Sequence, residues 1–253
     1  MPEPTLEQRI EPSRQPKRWF CMWQTWQHLA FIHWRFPAEE LQKKLPPGLT
    51  IDQFDGSAWL GLVPFRMRAI RPVGLPALPW LSYFLEMNLR TYVYDRHGRP
   101  GVWFFSLDCN QPIAVRIARR LFHLPYYDAR MSEVCSDGEQ STYKVQRRGE
   151  TGTPQEETLK YRLMEDLPKP LPGTLEHFLL ERYLLFAWDA GRQRLLSGQV
   201  HHTPYPPCGL ELEHWITTPI KQAGLTAPKT PPDHCIASRG VKVKVYWLES
   251  VGD

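Results

Sequence analysis

The chain alternates short apolar runs with proline- or glycine-bearing breaks, and its longest regular stretch runs from Tyr83 to Cys109. Successive side chains of a strand point to opposite faces. Phe84, Glu86, Asn88, Arg90, Tyr92 and Tyr94 therefore share one face of a predicted strand, while Leu85, Met87, Leu89, Thr91 and Val93 share the other. The second set is an ordinary core row. The first groups an acid, an amide and a guanidinium among aromatic rings, which fits either a salt-bridged exterior or the polar wall of a pocket. A second strand, Gly101 to Cys109, is apolar on both faces except at Ser106 and Asp108; such strands suit a barrel filled or lined on its inside. The linking Asp95-Arg96-His97-Gly98 fits a type I turn followed by a glycine bulge. That register, the favoured one, sets Asn88 against Ser106 and Glu86 against Asp108, with Arg90 one step away. Two carboxylates that close push one pKa upward and leave a proton donor. A two-residue loop would instead set Arg90 against Trp103 and remove the acid pair.

The remaining pattern predicts many short elements. Residues 1–18 read as a flexible leader, and residues 19–253 as a single domain with a candidate internal break near 166–173, at the prolines from Pro168 to Pro172. Trp19 to Trp34 is an aromatic cluster entering the core. Phe36 to Leu45 reads as a short helix, with acids early and lysines late along its dipole. Ile51–Phe54 and Ser57–Arg68 read as a hairpin around Asp55-Gly56, and Arg71 to Trp80 as a proline-rich loop. Ile113 to Phe122 has helical spacing, with Ile113, Ala114, Ile117, Ala118 and Leu121 expected to face inward. Strands follow over 128–135, 140–148 and 156–164. Thr174 caps a helix from Leu175 to about Arg182, and Tyr183–Trp188 and Arg194–His202 form another hairpin. Thr218 to Ser238 looks mostly irregular, and a final strand alternates through Val241, Val243, Val245 and Trp247. This mixture is α+β with β dominating.

Composition narrows the classes. The chain has 253 residues and 25 prolines, about twice the average usage, spread singly or in pairs, as in a fold of short elements and irregular loops. Its five cysteines are widely spaced without a C-x-x-C pair, which argues against a disulfide framework or a zinc cage and for a reducing cytoplasm. No apolar run marks a signal peptide or a membrane span. The net charge of +4 comes from interspersed acids and bases, so no nucleic-acid or membrane partner is expected. No phosphate-binding glycine loop, nucleophile elbow or metalloprotease motif is present.

Several stretches resemble a known family. Pro46-Pro47-Gly48-Leu49, Asp52 to Gly56 with Ala58-Trp59-Leu60-Gly61, Glu86 to Val93, Gly101 to Asp108, Leu124-Pro125-Tyr126 and His201 to Tyr205 occur in the order seen in the YqjF-like proteins, an uncharacterised bacterial group. The likeness runs from about Trp19 to Trp247. That group is similar to the acetoacetate decarboxylase superfamily, which implies a cone-shaped β-barrel with two or three short helices around a largely apolar cavity. The decarboxylase uses a Schiff-base lysine of depressed pKa, an example general accounts of covalent catalysis already cite. Its lysine pair follows a glycine–aromatic–proline turn. Here the turn is His123-Leu124-Pro125 and the next residues are Tyr126 and Tyr127, which cannot form an imine, so imine chemistry is not carried over. Glu86 and Arg90 are approximate counterparts of the superfamily's polar pocket residues.

The candidate site follows. Arg90 with Asn88 would hold a carboxylate or carbonyl ligand, and Glu86, Asp108 and His123 are the candidate acid–base groups. Tyr126 would close the site. His123 either caps a helix end or meets the ligand. Of the adjacent His201 and His202, at most one faces a cavity, which we take to be His202; no metal and no cofactor is expected. The leading expectation is a small-molecule-binding barrel for an acidic or carbonyl-containing compound. The alternatives are an acid–base enzyme without an imine, and a protein-interaction scaffold with a packed interior. Homo-oligomerisation is left open.

Overall fold

The computed structural model describes residues 3–149 and 156–252. In chain order its elements are α1 (Leu6–Ile10), β1 (Met22–Phe36), α2 (Ala38–Gln42), β2 (Leu49–Ile51), β3 (Ala58–Pro72), β4 (Phe84–Asp95), β5 (Pro100–Cys109), α3 (Pro112–Phe122) and β6 (Tyr126–Ser136). They continue as β7 (Gln140–Arg147), β8 (Glu157–Asp166), α4 (Leu175–Leu180), β9 (Leu184–Asp189), β10 (Arg194–His201), β11 (Pro207–His214), α5 (Thr218–Gln222), β12 (His234–Val245) and β13 (Glu249–Ser250). Strands dominate, and no helix among the described residues is long and apolar enough to cross a membrane.

The hydrogen-bonded ladder closes on itself twice. One circuit runs β5–β6–β7–β8–β11–β12–β1–β3–β4 and returns to β5. The other keeps β12, β1, β3, β4 and β5 and closes through β9 and β10. The shared strands β3 and β4 are accordingly buried on both faces over residues 58–65 and 86–95, where their sequences are mostly apolar. On one side Ile32, Leu60, Leu62, Met87 and Leu89 pack with Tyr143, Leu159 and Tyr161 of the larger circuit. On the other, Val63, Phe65, Met67, Phe84 and Tyr92 pack with Val102, Val200 and Val243. The smaller circuit depends on a close backbone approach between β5 and β9. A Cβ on Gly101 would stand 2.7 Å from the carbonyl oxygen of Leu184, so only glycine fits there.

Several local expectations are revised. The segment read as a flexible leader carries α1, closed by a capping box between Thr5 and Gln8, and it is tied down where Arg9 pairs with the buried Asp52 and Pro12 is buried. The proline break at 166–173 does not divide the sheet, because β8 before it pairs with β11 after it. The Asp55-Gly56 turn exists, with both residues at positive φ. It joins only an isolated bridge between Phe54 and Ser57, and β2 pairs with β4 instead. The supposedly irregular stretch before Ser238 contains α5 and the first residues of β12. Helix α3 is present, but the stripe expected to face inward is only partly covered. Val115 and Phe122 are buried, while Ile113, Ile117 and Leu121 are 42–48% exposed.

Candidate functional site: a cavity with one polar wall

The smaller circuit encloses a cavity of about 590 Å³, inside the range usual for small-molecule sites. Its walls come from β1, β3, β4, β5, β9, β10 and β12, and its mouth lies between α3 and the loop that carries Leu75, Pro76 and Leu78. Most lining side chains are aliphatic or aromatic. The exceptions include Gln24 and Ser82, but three of them, Glu86, Asn88 and Arg90, stand in one row on β4, with Tyr126, Arg182 and Tyr205 on the same lining. The polar row on the first strand is thus a pocket wall and not a solvated exterior. Its three members are 2%, 5% and 8% exposed.

Each of these groups has a definite state. Burial strips hydration from the Glu86 carboxylate and pushes its pKa up to about 8, with Asp108 adding a smaller push and a hydrogen bond from Tyr126 opposing it. Glu86 is therefore neutral at pH 7. The phenol of Tyr126 donates to Glu86 Oε2 at 2.9 Å and, itself buried beside that acid, is held well above its ordinary pKa. Asn88 Oδ1 has no hydrogen-bond partner, and neither does Arg90 Nε. One terminal nitrogen of Arg90 donates to the carbonyl of Leu179 at 3.1 Å and to the Tyr92 hydroxyl at 3.3 Å, and its guanidinium lies over the Phe31 ring at 5.3 Å. No carboxylate pairs with Arg90 among the described residues.

Arg182 is the site residue that the sequence concealed. It follows Glu181 directly in the chain. In the structure Glu181 accepts from the Tyr183 hydroxyl and from the Tyr205 amide. Arg182 reaches across the chain to Asp52 at 2.8 Å, an acid that also takes Arg9 at 2.5 Å. Arg90 and Arg182 flank the same ring, at 5.5 and 5.2 Å from the centroid of Tyr92. Two guanidiniums thus line the cavity, and one of them, that of Arg182, shares the Asp52 carboxylate with Arg9. Behind Arg90 a buried polar string continues: His33 Nε2 lies 2.8 Å from the Tyr92 hydroxyl, and His33 Nδ1 lies 3.3 Å from Nδ1 of His234. Burial, His234 and Arg90 all lower the pKa of His33. It is neutral and sends its Nε2–H to Tyr92, whose hydroxyl donates to Leu179 O at 3.0 Å.

Three predicted residues lie elsewhere. Near the turn the expected register holds, with Tyr94 opposite Pro100 and Arg90 opposite Phe104. A bulge at Phe105 then shifts it by one, so that Leu89 faces Ser106, Met87 faces Asp108 and Glu86 faces Cys109. An extra residue in one strand re-aims every side chain beyond it. Leu107 therefore joins the cavity lining, and Asp108 points to the opposite face, where Arg147 grips it through two hydrogen bonds of 2.6 and 2.8 Å. Asp108 is not part of the Glu86 wall. His123 is the left-handed cap of α3; its neighbours Phe122 and Leu124 line the cavity but His123 does not. His202 is buried against Tyr183 and Tyr205, 4.6 Å from each ring centroid. Its Nδ1 meets the Thr203 carbonyl, and its pKa is driven down to about 4 by burial. It backs Tyr205 without lining the cavity. His201 turns away, to the carbonyl of Ser13.

No lysine lines the cavity among the described residues. The comparisons with known proteins agree on the fold. The chain superposes on MppR, an enduracididine biosynthesis enzyme complexed with pyruvate, with a TM-score of 0.62 at 12% identity, covering 95% of this chain and 94% of that one. It superposes on acetoacetate decarboxylase from Legionella pneumophila with a TM-score of 0.60 at 12% identity, covering 95% and 93%. An acetoacetate decarboxylase-like enzyme from Sphingomonas wittichii RW1 gives 0.58 at 14% identity, covering 93% and 94%. The cone-like, acetoacetate decarboxylase-like fold expected from the sequence is the fold of this protein. In sequence, the chain is 32% identical over 216 residues to the uncharacterized protein YqjF of Bacillus subtilis (strain 168), covering 84% of this chain and 86% of that protein. The model of one family of uncharacterized conserved proteins, DUF2071, matches residues 23–242. The chain belongs to that family, the DUF2071 proteins.

Proposed function

We propose that the protein binds a small organic molecule bearing a carboxylate or carbonyl group, with Arg90 as its anchor. One observation carries this reading: a buried guanidinium on the cavity wall has no counter-charge among the described residues and leaves Nε unsatisfied. An uncompensated charge in apolar surroundings costs several kcal/mol, and an anionic or strongly polar ligand group would offset that cost. Arg182 adds to the positive potential. Asn88 Oδ1 is placed to accept a hydrogen bond from a ligand hydroxyl or amine, and neutral Glu86 is placed to donate one. Arg90→Gln is expected to keep the fold and to lower the affinity for simple carboxylates such as benzoate or hexanoate at least about tenfold, the scale of one hydrogen bond to a charged group. Calorimetric titration of both proteins measures it, and equal affinities would overturn the assignment.

The Glu86–Tyr126 pair supports a second reading, an enzyme that moves a proton without forming an imine. A buried acid with a pKa of about 8 is poised near neutral pH, where a general acid works best. Asp108 and His123 play no part in this version, because neither reaches the cavity. The lack of a cavity lysine speaks against Schiff-base chemistry in either version. A scaffold with a packed interior is disfavoured by the open volume beside Arg90.

A further inference from the structure

We infer that the ligand is an amphiphile, with its polar head at Arg90 and an apolar body of about a dozen or more non-hydrogen atoms reaching toward the mouth. This rests on the proposed binding role and adds the class of compound. Volume is the first observation. At the roughly 30 Å³ that a water-sized group occupies in a liquid, a cavity of about 590 Å³ holds about 20 such groups. A short oxo acid would leave most of it empty, and its aliphatic lining would gain nothing from the contact.

Distribution is the second. Glu86, Asn88 and Arg90 line the cavity from β4, whereas β10 and β12, across the smaller circuit from β4, contribute Val200 and Val245. A ligand polar at both ends would strand one end among aliphatic side chains, with the desolvation cost that implies. The mouth is the third. Leu75, Leu78, Ile117, Leu121 and Trp247 all line the cavity, yet each is 45–59% exposed. Large apolar residues left uncovered together mark a binding surface more often than an accident of packing. Here they continue the apolar lining outward, and the half-exposed stripe of α3 follows from the same cause: the helix turns that stripe to the opening and not to a packed core.

The test is a homologous series of straight-chain carboxylates, from acetate through hexanoate to dodecanoate, titrated against the full chain, with decan-1-ol as a headless control. Affinity is expected to rise about fourfold per methylene, the gain for burying one CH₂, and to level off once the cavity is full. Ala118→Trp, which narrows the mouth, should move that plateau to shorter chains. A flat response along the series, with Arg90→Gln still weakening short acids, would overturn the amphiphile and leave the carboxylate role intact. Equal binding of decanoate and decan-1-ol, unaffected by Arg90→Gln, would instead overturn the carboxylate role. Failure of every member to bind would overturn the amphiphile as well.

Discussion

Relative to its Glu86→Gln variant, the protein is expected to lose stability as pH rises from about 4.5 to 8. The Glu86 carboxyl titrates near 8 in the folded protein against an ordinary value of 4.5. Between those values the unfolded chain releases this proton and the folded chain keeps it. The unfolded state thus binds fewer protons, and stability declines with increasing pH. Below about 4.5 both states are protonated and the contribution is fully present; above about 8 both are ionised and it is gone. At roughly 1.4 kcal/mol for each pH unit between the two values, the loss across this window is on the order of 5 kcal/mol. Glutamine keeps an acceptor for the Tyr126 hydroxyl and cannot ionise. Glu181, also raised by burial, contributes a slope of the same sign and the lowered His33 and His202 the opposite one; both proteins share these slopes, so the difference between them isolates Glu86. Urea unfolding at pH 5, 6.5 and 8 should show the two stability curves diverging. Parallel curves would mean that Glu86 is ionised and hydrated in the folded state.

Asp108→Ala is expected to cost about 3–5 kcal/mol, because it leaves the buried Arg147 without the carboxylate that grips it. The pair is only 5% and 2% exposed on its two side chains, so water cannot take the place of the acid. Replacing both residues by apolar ones of similar volume, as in Asp108→Leu with Arg147→Met, should recover most of the loss. Denaturant titration of the single and double variants measures both. An Asp108→Ala protein of near wild-type stability but altered carboxylate affinity would mean that Asp108 faces the cavity after all. Glu86 and Asp108 are thus opposite cases on two faces of one sheet. Burial raises the pKa of Glu86 on the cavity face, and an arginine grips Asp108 on the other.

How much of this was readable in the sequence depends on how local each cause is. The alternation on β4 put Glu86, Asn88 and Arg90 on one face, because side-chain period is a property of the strand itself, but it left open whether that face met solvent or a cavity. The Asp95–Gly98 turn was also local: Gly98 sits at φ 72°, and the residue pairs nearest the turn follow from it. The bulge at Phe105 was not local, and no glycine or proline marks it. On its far edge β5 pairs with β9 at Val102 and Trp103, then with β6 from Leu107 to Cys109. The bulge falls between those two partners, where the strand leaves one circuit for the other, and it moved Asp108 off the expected face.

The other errors have the same origin. The α3 periodicity was plain, but which stripe would be covered depended on a cavity built by strands distant in sequence. Arg182 and Asp52 are separated by 130 positions, and a neighbouring glutamate offered a simpler partner. The hairpin expected around Asp55-Gly56 kept its turn and lost its strand, because β4 competed for β2. The start of α4, where Thr174 accepts from the His177 amide, fell where expected.

The central claim is that Arg90 anchors a ligand head group inside the cavity. A crystal structure of the protein with bound decanoate tests it most directly. The carboxylate is predicted to lie within hydrogen-bonding distance of Arg90, on the wall shared by Glu86 and Asn88, with the alkyl chain running past Phe65 toward α3. A carboxylate at the mouth beside Trp247, with Arg90 untouched, would contradict it.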